Sequence, residues 1–89
     1  MTDRATLPDG YYYLADLLAF FRDGDEHGWD QEFAYLATRW DEMGPLVASI
    51  RSEGIREPIL LGTDGRVWDG HHRIYAAHLL GIEVIPVTR

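Results

Sequence analysis

The chain has 89 residues, of which 46% are hydrophobic, with no cysteine, no lysine and a formal net charge of −7. That length supports one core burying roughly 60% of the unfolded-chain surface. The missing cysteine excludes disulfides and thiol nucleophiles, and the missing lysine excludes a Walker-type phosphate lysine and Schiff-base chemistry.

In chain order, Pro8, Asp9 and Gly10 read as a turn. Leu14, Leu17, Leu18 and Phe21 then recur at helical spacing, as do Trp29, Phe33, Leu36, Ala37 and Trp40 after Gly28. Residues 23–28 form a polar connector between these two predicted helices. Pro45 suits the first position of a third, short helix carrying Leu46, Val47 and Ile50 and ending at Gly54. Beyond Gly54, residues 58–61 read as a buried strand, residues 63–65 as a hairpin turn and residues 66–68 as the returning strand. Residues 74–80, stopped by Gly81, read as a helix, and residues 83–87 as a closing strand that Pro86 places at an edge or at its end. The expected fold is one α+β domain with a small mixed sheet, preceded by two or three helices.

Charge divides the chain. Residues 1–45 hold ten acids against three arginines, and residues 46–89 hold five against five. DNA binding through phosphates needs a basic face, so direct DNA binding is not expected. No apolar run approaches the ~20 residues that cross a bilayer, and the opening residues carry no signal-peptide pattern. A cytoplasmic location without membrane contact is the expectation.

The most informative stretch is residues 68–73, Trp-Asp-Gly-His-His-Arg, where a strand hands over to a helix. The first turn of a helix offers free amides and partial positive charge to an anion. Gly70 permits close approach, His71 and His72 can donate hydrogen bonds, and Arg73 presents a two-pronged donor for phosphate oxygens. Asp69 is a candidate Mg²⁺ ligand beside that phosphate. The same residues also suit an ordinary helix start with solvent-facing or capping side chains.

Gly54 through Ile59, then residues 69–73, then Ala76, Ala77, Leu80 and Gly81, then Ile85, Pro86 and Val87, together resemble the ParB/sulfiredoxin superfamily over about half the chain. Ser49, Ile50 and Gly54 match the helix end before its "x-Pro-Ile" strand. In ParB-type CTPases the phosphate box reads Gly-Glu-Arg-Arg; here two histidines replace the Glu and the first Arg. Sulfiredoxins carry the nucleophilic cysteine where this chain has His71, so their chemistry is excluded. The ParB-like free-serine kinases carry Asp-Gly-His-His-Arg, reproduced at residues 69–73.

The resemblance implies a minimal, phage-type ParB-like domain, with residues 1–40 as an acidic helical extension and residues 41–89 as the core. It implies phosphate contacts at Gly70, His71, His72 and Arg73, with Arg56 and Pro58 completing a site for ATP, ADP or CTP with Mg²⁺. Asp69, His72 and Glu57 are the catalytic candidates, Asp69 handling the metal or the acceptor and Glu57 serving as a base. Nucleotide binding is expected ahead of turnover, with slow phosphate hydrolysis or transfer as the reaction and nuclease activity less favoured. The alternative is a non-catalytic interaction protein whose acidic half binds a partner protein or a second copy of the chain.

Other patterns are weaker. Asp23, Asp25, His27 and Gly28 imitate a calcium loop, but Ala34 stands where the bidentate Glu belongs. His71, His72 and His78 lack a compact zinc spacing, and His78 is expected to be partly buried. Tyr11, Tyr12, Tyr13, Trp29, Trp40 and Trp68 suit core positions more than base-stacking platforms, although the three tyrosines cannot all face inward.

Overall fold

The computed structural model describes residues 5–24 and 28–89. It is a small α+β domain in which four helices pack with a four-stranded mixed sheet. The elements are β1 (Tyr11–Tyr13), α1 (Leu14–Phe20), α2 (Trp29–Ala37), α3 (Trp40–Glu53), β2 (Ile59–Leu61), β3 (Val67–Asp69), α4 (His71–Leu80) and β4 (Val84–Thr88). The strand order is β1-β4-β2-β3, with β4 antiparallel to β1 and parallel to β2, and β2 antiparallel to β3.

The predicted hairpin and the helix that follows it are present. Gly62 N–H donates to the Arg66 carbonyl at 2.7 Å across the turn, and the Trp68 indole crosses that turn to donate to Asp64 Oδ1 at 3.1 Å. A Cβ on Gly62 would lie 2.1 Å from Trp68 Nε1, so a glycine is what lets the indole lie there.

One element was not read from the sequence, and four expectations require correction. Tyr11–Tyr13 form an edge strand, pairing with β4 in the register Tyr11↔Pro86, Tyr12↔Ile85 and Tyr13↔Val84. The chain leaves β1 directly into α1, with Leu14 N–H donating to the Glu83 carbonyl at 2.8 Å.

Pro86 lies in a strand paired on both sides, not at an edge. Val87 N–H donates to Gly10, so position 86 faces β2, one step before that ladder begins at Ile59↔Val87. The missing N–H therefore falls where the parallel ladder has run out, a place that tolerates proline.

The third helix is not short. It starts at Trp40, which belongs to it and not to α2, because Thr38 and Arg39 close α2 with bonds to the Tyr35 and Leu36 carbonyls. Pro45 consequently sits inside α3. Gly44 before it has no Cβ to meet the proline ring, and the Trp40 ring occupies the space over Gly44, 3.1 Å from where a Cβ would be.

The aromatic expectation also fails in part, since Trp40 and Trp68 are 53% and 55% exposed. His78 is exposed as well, its ring stacked on Phe33 at 4.9 Å.

Helix α4 is the central element. Ile74 and Ala77 pack on Ile59, Leu61, Val67 and Ile85 of the sheet, while Tyr75 and Ala76 pack on Met43, Val47 and Ile50 of α3. All four α4 residues are buried, and a fully buried Ile or Leu contributes about 1.5–3 kcal/mol. Phe33, Ile55 and Ile82 touch both clusters and join them. The acidic half takes part in this core: Leu14 and Leu17 lie in the sheet-side cluster and Leu36 in the other. The imitation calcium loop includes Asp25 and His27, which lie outside the described residues.

Candidate functional site

A cleft of about 600 Å³ opens between the C-terminal half of α3, the segment at residues 54–57 and the N-terminus of α4. Gly54 ends α3 with φ 77° and turns the chain so that Ile55, Arg56 and Glu57 form one wall. Leu46 and Ile50 supply an apolar wall with Ser49 among them, and residues 69–73 form the opposite side.

Gly70 is fixed by two constraints. Its φ of 115° lies where L side chains are strained, and a Cβ there would sit 2.7 Å from Ile59 Cδ1 and 3.3 Å from Ile59 Cα. The residue lets β3 turn straight into α4 over the buried end of β2. Ile74 N–H makes the first intrahelical bond, to the Gly70 carbonyl at 2.9 Å. The amides of His71, His72 and Arg73 therefore precede the helical ladder, and Gly70 brings no side-chain cap to them. They carry the positive end of the α4 dipole into the cleft.

The predicted side chains are near one another but differently employed. Arg73 is only 15% exposed. Its Nη1 donates to the carbonyls of Glu57 at 2.7 Å and Pro58 at 2.9 Å, and Nη2 lies 3.4 Å from Asp69 Oδ2. The guanidinium thus holds the entry of β2 against α4. Pro58 contributes to the site through its carbonyl, already in use.

The two histidines diverge. His71, which also lines the cleft, reaches the connector with its ring: its Nε2–H donates to the Asp23 carbonyl and the ring lies 5.9 Å from Trp29. Asp23 is 2% exposed, a buried carboxylate among the described residues. His72 stays at the surface, its side chain 48% exposed, with Nε2 3.1 Å from Glu42 Oε2. Glu42 also accepts from Arg39 Nη2 at 2.8 Å. The Arg39 hydrogen bond first, and the His72 hydrogen bond second, hold the Glu42 carboxyl below its ordinary value, and Glu42 in turn raises Arg39.

Asp69 and Glu57 are outward carboxylates, 74% and 86% exposed, with Glu57 Oε2 3.8 Å from Arg73. Arg56 is 74% exposed and pairs with Glu53 at 3.1 Å. Among the described residues no three His, Asp or Glu side chains form a metal-binding group. Asp69 offers a single carboxylate, which suits Mg²⁺ carried in by phosphate oxygens and not one caged by protein ligands.

The sequence reading missed Glu42, whose contact with His72 depends on α3 lying beside α4, thirty positions apart. It also missed the apolar wall, because Leu46 and Ile50 read simply as a helical stripe. In class, this is a small α+β domain with a helix-end cleft, apolar on one side and lined by amides on the other. No family model, curated protein or solved structure matches the chain. No described helix is long and apolar enough to cross a membrane.

Proposed function

We propose that the chain is a ParB-like nucleotide-binding protein that holds the phosphates of an NTP or NDP, with Mg²⁺, at residues 69–73. The observation that carries this reading is the uncapped amide end of α4, set behind Gly70 on one side of a cleft of about 600 Å³. That volume lies within the ~300–1,000 Å³ of ordinary ligand sites. The phosphates sit on the amides of His71, His72 and Arg73, Arg56 at the rim, paired with Glu53, adds a positive charge, and the nucleoside rests against Leu46, Ile50 and Ile55. Asp69 would be the residue to hold Mg²⁺ beside the phosphates, where the ion would offset their negative charge. Arg73 supports this site mainly by holding its wall together, through the carbonyls of Glu57 and Pro58. Hydrolysis or transfer of phosphate is the reaction such a cleft supports, with Asp69, His72 and Glu57 as its catalytic candidates.

The test is an amide-resolved NMR titration with ATP, ADP, CTP and GTP, with and without Mg²⁺. The His71, His72 and Arg73 amides should shift together, and Arg56→Ala should weaken the affinity roughly three- to tenfold without changing the fold. Binding that leaves those three amides unmoved, or no binding across the panel, refutes the reading.

A second reading draws on Phe20, Tyr35 and Trp40, which are 72%, 58% and 53% exposed in the acidic half. Large exposed apolar rings among acids suit a basic protein partner. Partner binding that weakens with salt and ignores nucleotide would favour it over the first.

A further inference from the structure

The contact between His72, which lines the cleft, and Glu42, which lies outside its lining, joins α4 to α3, and both side chains are nearly half exposed. An exposed pair of this kind contributes little to stability, so its effect is on geometry. Glu42 is itself held: Arg39 takes Oε1 at 2.8 Å, which leaves Oε2 for the imidazole at 3.1 Å. An ionised carboxylate only accepts hydrogen bonds. The ring nitrogen facing it must therefore carry the proton. In a neutral imidazole the other nitrogen is then a lone-pair acceptor.

We infer that Glu42 is a positioning residue: it takes the Nε2–H of His72, so that Nδ1 is the nitrogen left to act on a ligand in the cleft. This rests on the nucleotide-binding reading and assigns His72 a role within it. A neutral His72 held this way is a proton acceptor and not a phosphate donor. The phosphates are left to the α4 amides and Arg56, and the imidazole to a hydroxyl or water beside them. In phosphate transfer the O–H proton of that hydroxyl or water passes to Nδ1 as its oxygen forms the new bond to phosphorus. The bond from phosphorus to the leaving phosphate oxygen breaks, and its electron pair stays on that oxygen. A base oriented by a carboxylate through its second nitrogen is a general arrangement for such steps.

The charged groups near His72 are Glu42 and Arg39 on α3, Arg73 on its own helix, Asp69 just before that helix, and Glu32, Arg56 and Glu57 on other parts of the cleft lining. Only Glu42 among them makes a described hydrogen bond to the ring.

The experiment is a long-range ¹H–¹⁵N spectrum of the histidine rings in the full chain at pH 8, above the ordinary imidazole range of ~6.5. Wild type should show His72 with a protonated Nε2 and an unprotonated Nδ1. Glu42→Ala should return the ring to a mixture of tautomers, and Glu42→Gln, which keeps a carbonyl acceptor, should restore most of the wild-type pattern. His72 signals identical in wild type and Glu42→Ala overturn the inference, whether or not nucleotide binds. In parallel, Glu42→Ala should lower nucleotide turnover at least tenfold while leaving affinity within twofold; equal losses in both overturn the assignment of His72 as acceptor. A chain that binds no nucleotide refutes the proposed function separately, and the tautomer result is read without any ligand.

Discussion

Arg73→Ala removes a guanidinium whose Nη1 donates to the Glu57 carbonyl at 2.7 Å and the Pro58 carbonyl at 2.9 Å. Hydrogen bonds from a charged donor contribute about 1.5–3 kcal/mol each. Water can reach these carbonyls once the side chain is gone, so the lower figure applies and the pair amounts to about 3 kcal/mol. Asp69 and Glu57 add little, because their carboxylates are 74% and 86% exposed. A domain of this size has about 5–15 kcal/mol in total, so the variant should lose a large share of its stability and melt about 12–24 °C lower. Urea unfolding followed by far-UV circular dichroism measures this directly, with the slope unchanged and the midpoint reduced. Arg73→Lys should recover about half, since an ammonium is a compact charge without the fork that spans two carbonyls. A loss below about 1 kcal/mol in Arg73→Ala would show that the guanidinium does not hold β2 and is free for a ligand.

Gly70→Ala should cost about 3 kcal/mol, combining the left-handed backbone penalty with the approach to Ile59; wild-type stability in that variant would mean the turn can reshape. The Glu42 carboxyl lies below its ordinary 4.5, through Arg39 first and His72 second. A depressed value in the folded state gives stability that is complete above 4.5 and lost as pH falls through the folded value. The gap between urea midpoints of wild type and Glu42→Gln should be small, because the pair is exposed, and should close on acidification below about pH 4.5; a gap that stays constant to pH 2.5 contradicts the pairing. Gly62→Ala should displace the Trp68 indole from Asp64 at a cost under about 1 kcal/mol, seen as a change in tryptophan emission; unchanged emission would refute the packing.

The hairpin and α4 were legible because their signals are local: a Thr-Asp-Gly turn between apolar runs, and a glycine at each end of one helix. What failed was decided by pairing at a distance. The tyrosine run gave no sign of its partner, since only β4 makes it a strand. Pro86 read as an edge signal because a missing donor matters only on the side it faces, and the sequence does not say which side that is. Pro45 looked like a helix start, because nothing local shows that α3 already begins at Trp40 and that Gly44 before the proline brings no Cβ to meet its ring. In the site, Gly70 was read for ligand approach, and the structure adds a second reason in Ile59. Arg73 was read as a ligand donor, whereas its nearest acceptors are main-chain carbonyls of β2. His71 and His72 were indistinguishable in sequence, yet one side chain points to the connector and the other to α3.

The place of β4 between β1 and β2 also bears on the order in which the fold assembles. Tyr11 and Pro86 face each other from about 75 residues apart in sequence, while β2, β3 and α4 are near neighbours along the chain. Pairings between distant segments form slowly, so the hairpin and α4 can nucleate before the sheet is continuous. The acidic segment then joins only when β4 has taken its position beside β2. Reversed, the same route makes β1 the first strand to detach, and its amides should exchange with solvent well before those of β2. Opening would therefore begin at the tyrosine edge and leave the helix-end cleft intact longest.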